Sequence, residues 1–378
     1  MDNLCRSVLG LAVGGLILVG SAYLRPVSFA DPHLEGAIRD ELGIAGRQIT
    51  RFDLYRLREL HAAQREIVRL DGIEHCANLR YLDLTENHIE GISPLAGLKR
   101  LETLILRSNY VEDVSPLSGL TCLHKLDLDF NTVADAGPLS HLTDLTWLGF
   151  WDSRIRDVSP LAGLTKLTDL GLGGNPIEDP SPIANLRHLE WLGLPNTGID
   201  EIDFLAGITS LVKLSLGGNR ISDLSPLAHL TNLEGLGLSD NQITDISPLS
   251  GLTRLKRLSL WGNRISDISA LSGMTDLIKL WLDQNPIEDI EPLSPLTSIH
   301  ILGLSGTRIT DIAPLLENPG LDDGDELDLR DAKLDLTTGS AARGAIEELR
   351  RRGVNVLWES GDQRSAAFLF DVLVVKYE

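Results

Sequence analysis

The residues through which this chain could act are tryptophans, aspartates and a few lysines and arginines, and their spacing favours recognition over catalysis. Five of its six Trp (Trp147, Trp151, Trp191, Trp261 and Trp281) fall on three kinds of position that recur along the chain. Trp is the residue most enriched at binding hot spots, and exposed Trp is costly for solubility. Asp127, Asp129, Asp152 and Asp169 bring carboxylates near one another and are the one set with oxygen chemistry suited to Ca²⁺. Solvated surface is the simpler reading of them, so no metal is expected. Catalytic motifs are absent: there is no H-E-x-x-H, no Walker A loop and no G-x-S-x-G. The nine His do not converge. Gly171, Gly173 and Gly174 imitate a phosphate loop, but they lie on and just after a strand position rather than before a helix. The chain therefore reads as no enzyme, and no cofactor is expected.

What must position these residues is a period of 22 that never slips. Leu57, Leu79, Leu101, Leu123, Leu145, Leu167, Leu189, Leu211, Leu233, Leu255, Leu277 and Ile299 each follow the last by 22 residues. With the leading residue as offset 0, offset 3 is Leu in all eleven units from Leu79, and offset 5 is Leu in ten, Phe150 being the exception. Alternate residues of a strand point the same way, so offsets 3 and 5 face a core and offsets 2, 4 and 6 face out. A period in this range with an L-x-x-L-x-L-x-x-N core marks a leucine-rich repeat. The expected fold is α/β: a right-handed solenoid with a parallel, concave β-sheet and short 3₁₀ or helical convex segments.

Two columns read as structural. Offset 8 is Asn in eight units, from Asn87 to Asn285, with Ser153, Thr197 and Thr307 in the others. A buried Asn there supplies donors and an acceptor to backbone groups that leave the sheet. Offsets 12 to 16 read Asp-Ile-Ser-Pro-Leu or nearly so, as from Asp245 to Leu249. An Asp or Ser ahead of a Pro is a helix-start signal, so the Asp column predicts capping of one short turn per unit.

These 22-residue units ending in Asp-Ile-Ser-Pro-Leu resemble the bacterial internalin-type leucine-rich repeats. The resemblance reaches upstream: Phe29 to Arg39, Ile49-Thr50 and Leu70 to Glu74 are similar to that family's helical N-terminal cap and degenerate first repeat. It spans roughly residues 29–316 and implies a surface or secreted recognition role. No Leu-Pro-x-Thr-Gly sorting motif is found near the C-terminus.

The ends set the compartment. Residues 7–24 are without charge and follow Arg6, as in a secretory signal or a short membrane anchor. Cleavage is expected at Gly20-Ser21-Ala22 or at Ser28-Phe29-Ala30. Asp31 then caps a helix with Pro32 at its first position, Leu34, Ala37, Ile38 and Leu42 on one face, and Gly43 as its stop. The spacing divides the chain into residues 1–30 (signal or anchor), 31–78 (N-terminal cap and degenerate first repeat), 79–316 (repeats) and 317–378 (C-terminal cap). In the last of these the reading gives a strand-like unit from Glu326, a helix near 341–352, a strand at 354–358 and another within 366–375. Cys76 and Cys122 lie too far apart in the repeat register for a disulfide. No N-glycosylation sequon is present.

Net charge is −20, which excludes nucleic acid as a partner. The run Arg350-Arg351-Arg352 is expected at a helix C-terminus, where cations are favoured. The candidate binding residues are Trp147, Trp151, Trp191, Trp261, Trp281, Phe130, Tyr81, Lys125, Asp127, Asp129, Asp169, Lys213, Arg257 and Lys279. They are read as two aromatic ends of a smooth trough floored by Gly171, Gly173, Gly193, Gly217, Gly235 and Gly237. An exported protein that binds a protein partner through its concave face is the expected function. A glycan-binding module using the Trp rings, or a purely structural scaffold, are the alternatives. A membrane is expected as partner only through an uncleaved N-terminal segment.

Overall fold

The structure, a computed structural model, describes residues 24–359 and Asp362. The apolar run up to residue 23 and the strand expected within 366–375 lie outside the described residues. The fold is a leucine-rich repeat solenoid, and it divides into two compact units, Met1–Leu186 and Arg187–Glu378. No helix among the described residues is long and apolar enough to cross a membrane.

The first unit opens with α1 (Pro32–Leu42) and α2 (Arg51–Arg56). Pro32 at the first turn loses no hydrogen bond, and Gly43 ends α1 in the left-handed region at φ 63°. Leu34, Ala37 and Ile38 are buried as their helical spacing demands, while Leu42 at the frayed end is only half-buried. Six parallel strands follow: β1 (Glu59–His61), β2 (Tyr81–Asp83), β3 (Thr103–Ile105), β4 (Lys125–Asp127), β5 (Trp147–Gly149) and β6 (Asp169–Gly171). Each pairs with the next at a constant shift of 22, as Tyr81↔Thr103 and Thr103↔Lys125. Leu82, Leu104, Leu126, Leu148 and Leu170 fill the core with Leu84, Leu106, Leu128, Phe150 and Leu172.

The second unit carries β7 (Trp191–Gly193), β8 (Lys213–Ser215), β9 (Gly235–Gly237), β10 (Arg257–Ser259), β11 (Lys279–Trp281), β12 (Ile301–Gly303), β13 (Glu326–Asp328) and β14 (Asn355–Leu357). The shift of 22 holds to β12, then lengthens: Ile301 pairs with Glu326, and Glu326 with Asn355. Between these strands lie α3 (Ala313–Glu317), at the convex position of its unit, and the longer α4 (Ala341–Arg351). Asn318 does at this end what the repeat asparagines do earlier, donating to Leu293 O at 3.2 Å and Leu296 O at 3.1 Å. The Arg run closes α4: Arg350 donates to Val356 O and Arg352 to Leu316 O.

Every strand is short because every unit leaves the sheet at one place. At offset 7 the backbone turns left-handed in all eleven units: Glu86, Ser108, Phe130, Asp152, Gly174, Asn196, Gly218, Asp240, Gly262, Gln284 and Gly306 all have positive φ. The Asn after it points inward. Asn241 Nδ2 donates to Leu216 O at 3.0 Å, Leu238 O at 3.1 Å and Ser239 O at 3.1 Å, and its Oδ1 accepts the Ile221 N–H at 2.9 Å. Where the column holds Ser153, the hydroxyl is buried without a partner. The expected convex turns are present, as 3₁₀ segments such as Ser115–Leu117 and Ser247–Gly251 and, in the unit of Ile299, as the helical turn α3. The Asp column does cap, but one position early. Asp113 Oδ1 accepts the Ser115 N–H at 2.8 Å, while Val114, the residue next to the turn, has no side-chain bond to give. Cys76 is a core residue whose thiol burial pushes up to about 12.

The ladder gives one graded stability series. Asn241→Ala leaves four backbone groups without their partner and is expected to cost roughly 1–3 kcal/mol. Asn241→Thr retains one bond of the kind Thr197 makes to Leu194 O, and costs less. Ser153→Asn restores the missing rung and raises stability. Denaturant unfolding of the three variants checks the order, and equal costs for Ala and Thr would contradict it.

Asp31 ties α1 to the first repeat. Its Oδ1 accepts the N–H of His33 and Leu34 at 2.8 and 3.3 Å, and its Oδ2 those of Val68 and Arg69 at 2.7 and 3.0 Å. Burial opposes its ionisation, but these four donors outweigh burial and hold its carboxyl below the usual carboxylate value. A carboxyl lowered in the folded state adds stability above its unfolded pKa, about 4, and loses it as pH falls through the folded value. Hydrogen-exchange protection of the α1 amides should therefore fall below about pH 4. Asp31→Asn should lower that protection at neutral pH and flatten the acid dependence.

Candidate functional site

In the first unit the outward positions build a packed polar and aromatic cluster. Asp129 is fully buried, and both its oxygens are occupied. Oδ2 lies 3.2 Å from Arg107 Nη1, and Oδ1 accepts the Trp151 N–H at 2.8 Å. Asp127 Oδ1 accepts the Asp129 N–H at 3.0 Å. The Arg107 guanidinium stands 4.6 Å over the Phe130 ring, and Lys125 Nζ 4.7 Å over the Trp147 ring. Both are cation–π distances. Gly149 is the space that lets this happen. A methyl carbon there would sit 2.5 Å from Asp129 Oδ1 and 2.8 Å from Trp147 Cη2.

Phe130 is the odd residue. It holds φ 56°, in a column otherwise filled by Gly, Asn, Asp, Ser, Gln and Glu, and its ring is 37% exposed. A bulky side chain in the left-handed region carries a backbone cost of order 1 kcal/mol and persists where the surroundings hold it. Here Arg107 holds it from one side, and solvent is on the other.

The second unit repeats the Asp–Gly arrangement. Asp283 Oδ1 accepts the Ser305 N–H at 3.0 Å, and its carboxylate lies where a Gly303 side chain would be. Trp281 is 1% exposed, packed with Ile301 and half-buried Trp261. At the far end Arg330 grips Asp328 with two bonds, Nε–Oδ1 at 2.9 Å and Nη2–Oδ2 at 2.5 Å, and this pairing raises the Arg330 pKa. Lys213, Gly235, Arg257 and Lys279 stand in register on β8 to β11.

The structure thus places the sequence candidates differently from the expected trough with open aromatic ends. Trp191 and Trp281 are buried, and Trp147, Trp151 and Trp261 are half-buried. Gly171, Gly173, Gly193 and Gly235 are buried rather than bare, and only Gly217 and Gly237 of the expected floor are partly open. Neighbouring side chains lie across the glycines, as Trp147 does across Gly149. Lys125, Asp127, Asp129, Trp147, Trp151 and Phe130 come together in the first unit, and Trp261 with Trp281 in the second. Trp191 belongs to the second unit, so the expected trio with Trp147 and Trp151 divides between the two. Tyr81 faces His61, with ring centroids 5.0 Å apart, rather than the Trp cluster. Asp169 accepts the Thr168 hydroxyl at 2.7 Å. Among the described residues no group of three or more His, Cys, Asp or Glu is placed to hold a metal ion. Gly149 and Arg330 were not legible from sequence, whereas Arg107 and Asp129 share offset 6 in consecutive units and read as opposed charges on one face.

Repeat geometry and outward face define a bacterial leucine-rich repeat protein. Family models for leucine-rich repeats match residues 75–93, 99–141, 187–229 and 231–273. An internalin (inlF) from Listeria monocytogenes is 34% identical over 83% of this chain and 98% of its own, with a TM-score of 0.71. The chain belongs to the internalin family. A leucine-rich repeat protein of Leptospira interrogans is 22% identical, over 75% of this chain and 74% of its own, at a TM-score of 0.68. A plant peptide hormone receptor, RGFR1 in complex with RGF2, is 21% identical over 71% and 53%, at 0.56. These last two share the fold. No curated protein matches the sequence.

The cluster around Gly149 makes a sharp expectation. Gly149→Ala must push Asp129 or Trp147 aside, so it should cost roughly 1–3 kcal/mol and shift the Trp emission. Gly97→Ala, with nothing within 4 Å of the added carbon, should be near neutral. Equal melting temperatures for the two variants would show that the cluster is not packed as described.

Proposed function

We propose that this internalin-family chain is exported and binds a protein partner through the outward face of its repeat strands, with no catalytic role. The observation that carries the reading is Phe130: an aromatic residue held open to solvent in a strained backbone position, braced by the Arg107 guanidinium, which itself pairs with Asp129. An aromatic anchor inside a rim of charge is the composition of a protein-binding hot spot. A glycan site is less well supported. Sugar stacking needs an open ring face, and Trp191 and Trp281 are 6% and 1% exposed.

Export draws on the uncharged run of residues 7–24. The two expected cleavage points differ in what they leave behind. Val27 N–H donates to Ile49 O at 2.9 Å, Arg51 N–H donates to Arg25 O at 3.1 Å, and the Phe29 ring fills the space over Gly72. Processing after Ala30 would remove these contacts, so the reading adopts cleavage at Gly20-Ser21-Ala22. Residues 25–78 then form the N-terminal cap, 79–316 the binding repeats and 317–378 the C-terminal cap.

The test is capture of a partner from extracellular material by the mature chain, followed by calorimetry with variants. Phe130→Ala and Lys125→Glu should each weaken binding by about 2 kcal/mol with little change in melting temperature. Asp113→Asn and Asp245→Asn, in the capping column, should bind normally. If the capping variants lose binding and the face variants keep it, the partner sits elsewhere. If neither set matters, the chain is a scaffold.

A further inference from the structure

The outward face of β8 to β10 sets two cations on a floor of small residues. Its nine outward positions are Lys213, Ser215, Gly217, Gly235, Gly237, Ser239, Arg257, Ser259 and Trp261. None is acidic, in a chain of net charge −20. Elsewhere cations on the face are matched: Arg107 by Asp129, and Arg330 by Asp328. Lys213 and Arg257 are half-buried, and neither makes an ion pair among the described residues. Glu234, next in sequence to the face, pairs with Lys256 and Arg254.

Two further groups on this face lack partners. Ser259 is 6% exposed with no hydrogen-bond partner for its Oγ, and Trp261 Nε1 likewise has none. Buried polar groups are nearly always satisfied, so each of these two has room for one more bond, as Trp151 Nε1 has in the first unit. Lys213, Arg257 and Trp261 Nε1–H are donors only, and the Ser259 hydroxyl can donate. What is missing is a set of acceptors.

Resting on the reading of this face as the partner-binding surface, we infer that β8 to β10 take an acidic, extended peptide segment of that partner. Partly open Gly237, where an added carbon would meet nothing closer than 3.6 Å, lets a main chain approach the sheet. Lys213 to Arg257 spans two strand spacings, about 10 Å, and carboxylates on one side of an extended chain recur about every 7 Å. A Glu-x-Glu segment laid across these strands therefore brings one carboxylate within side-chain reach of each of Lys213 and Arg257.

The probe is a fluorescein-labelled twelve-residue peptide of alternating Glu and Ser, read by anisotropy against the full mature chain. Binding should be saturable and weaken with added salt. Lys213→Glu with Arg257→Glu should weaken it by roughly tenfold or more. Lys213→Ser with Arg257→Ser should do so without the burden of charge reversal on folding. Arg220→Glu with Arg264→Glu makes the same change in net charge on exposed residues off this face, and should cost less than about twofold. The inference is overturned if the Glu peptide does not bind, if both double reversals weaken it equally, or if a Lys and Ser peptide binds as well. A heparin oligosaccharide that alone competes through Lys213 and Arg257 would make the ligand an anionic glycan and overturn it too. Should the captured partner lose binding on Phe130→Ala yet ignore Lys213 and Arg257, the protein-binding reading stands and only this inference falls.

Discussion

Everything in these repeats depends on how the chain leaves each strand. Three residues of sheet are followed by a left-handed residue and then by an inward asparagine. The turn strips backbone N–H and C=O groups of their strand partners inside an apolar core, where each would cost a few kcal/mol. One amide side chain answers them: Asn109, for example, donates to Leu84 O and Leu106 O and accepts from Ile89 N. Because it bonds both its own unit and the preceding one, the amide fixes the shift between strands. The Leu columns then stack without choice, and the outward columns inherit the same register.

The period made the solenoid, the strand positions, the 3₁₀ turns and α1 legible before any coordinates. All of these depend on residue type at fixed spacing. The left-handed column is equally legible, since offset 7 is rich in Gly, Asn, Asp and Ser. The state of the face was harder. Whether a Trp on an outward position is open depends on the residue beside it and on the next strand. Trp281 disappears because Ile301 and Trp261 flank it, and Trp147 lies flat because Gly149 leaves room. A rule that outward means exposed fails when large rings stand next to glycines. Burial of Asp129 and Asp283 escaped for the same reason: each is buried through a Gly one unit further on.

The two units solve the same electrostatic problem in different ways. In the first, cations are absorbed by a buried carboxylate and by ring faces, which fixes Arg107 and Lys125 in place. In the second, the carboxylates Asp283 and Asp328 are used up near the C-terminal cap, by a backbone amide and by Arg330. Lys213 and Arg257 are left without a counter-charge on a small-residue floor. The aromatic weight of the chain and its unspent positive charge are therefore carried on different strands.

The constant shift of 22 has an evolutionary side. Within one unit, each repeat meets its neighbours through the same columns: Leu on Leu and amide on backbone. A recombination event that adds or removes one whole repeat rejoins like with like and leaves every junction chemically familiar. One that adds part of a repeat turns an Asn to solvent and a Leu to the face. The length of the surface is thus an inheritable variable that changes in whole steps of one strand, while its chemistry drifts residue by residue on columns the core never sees.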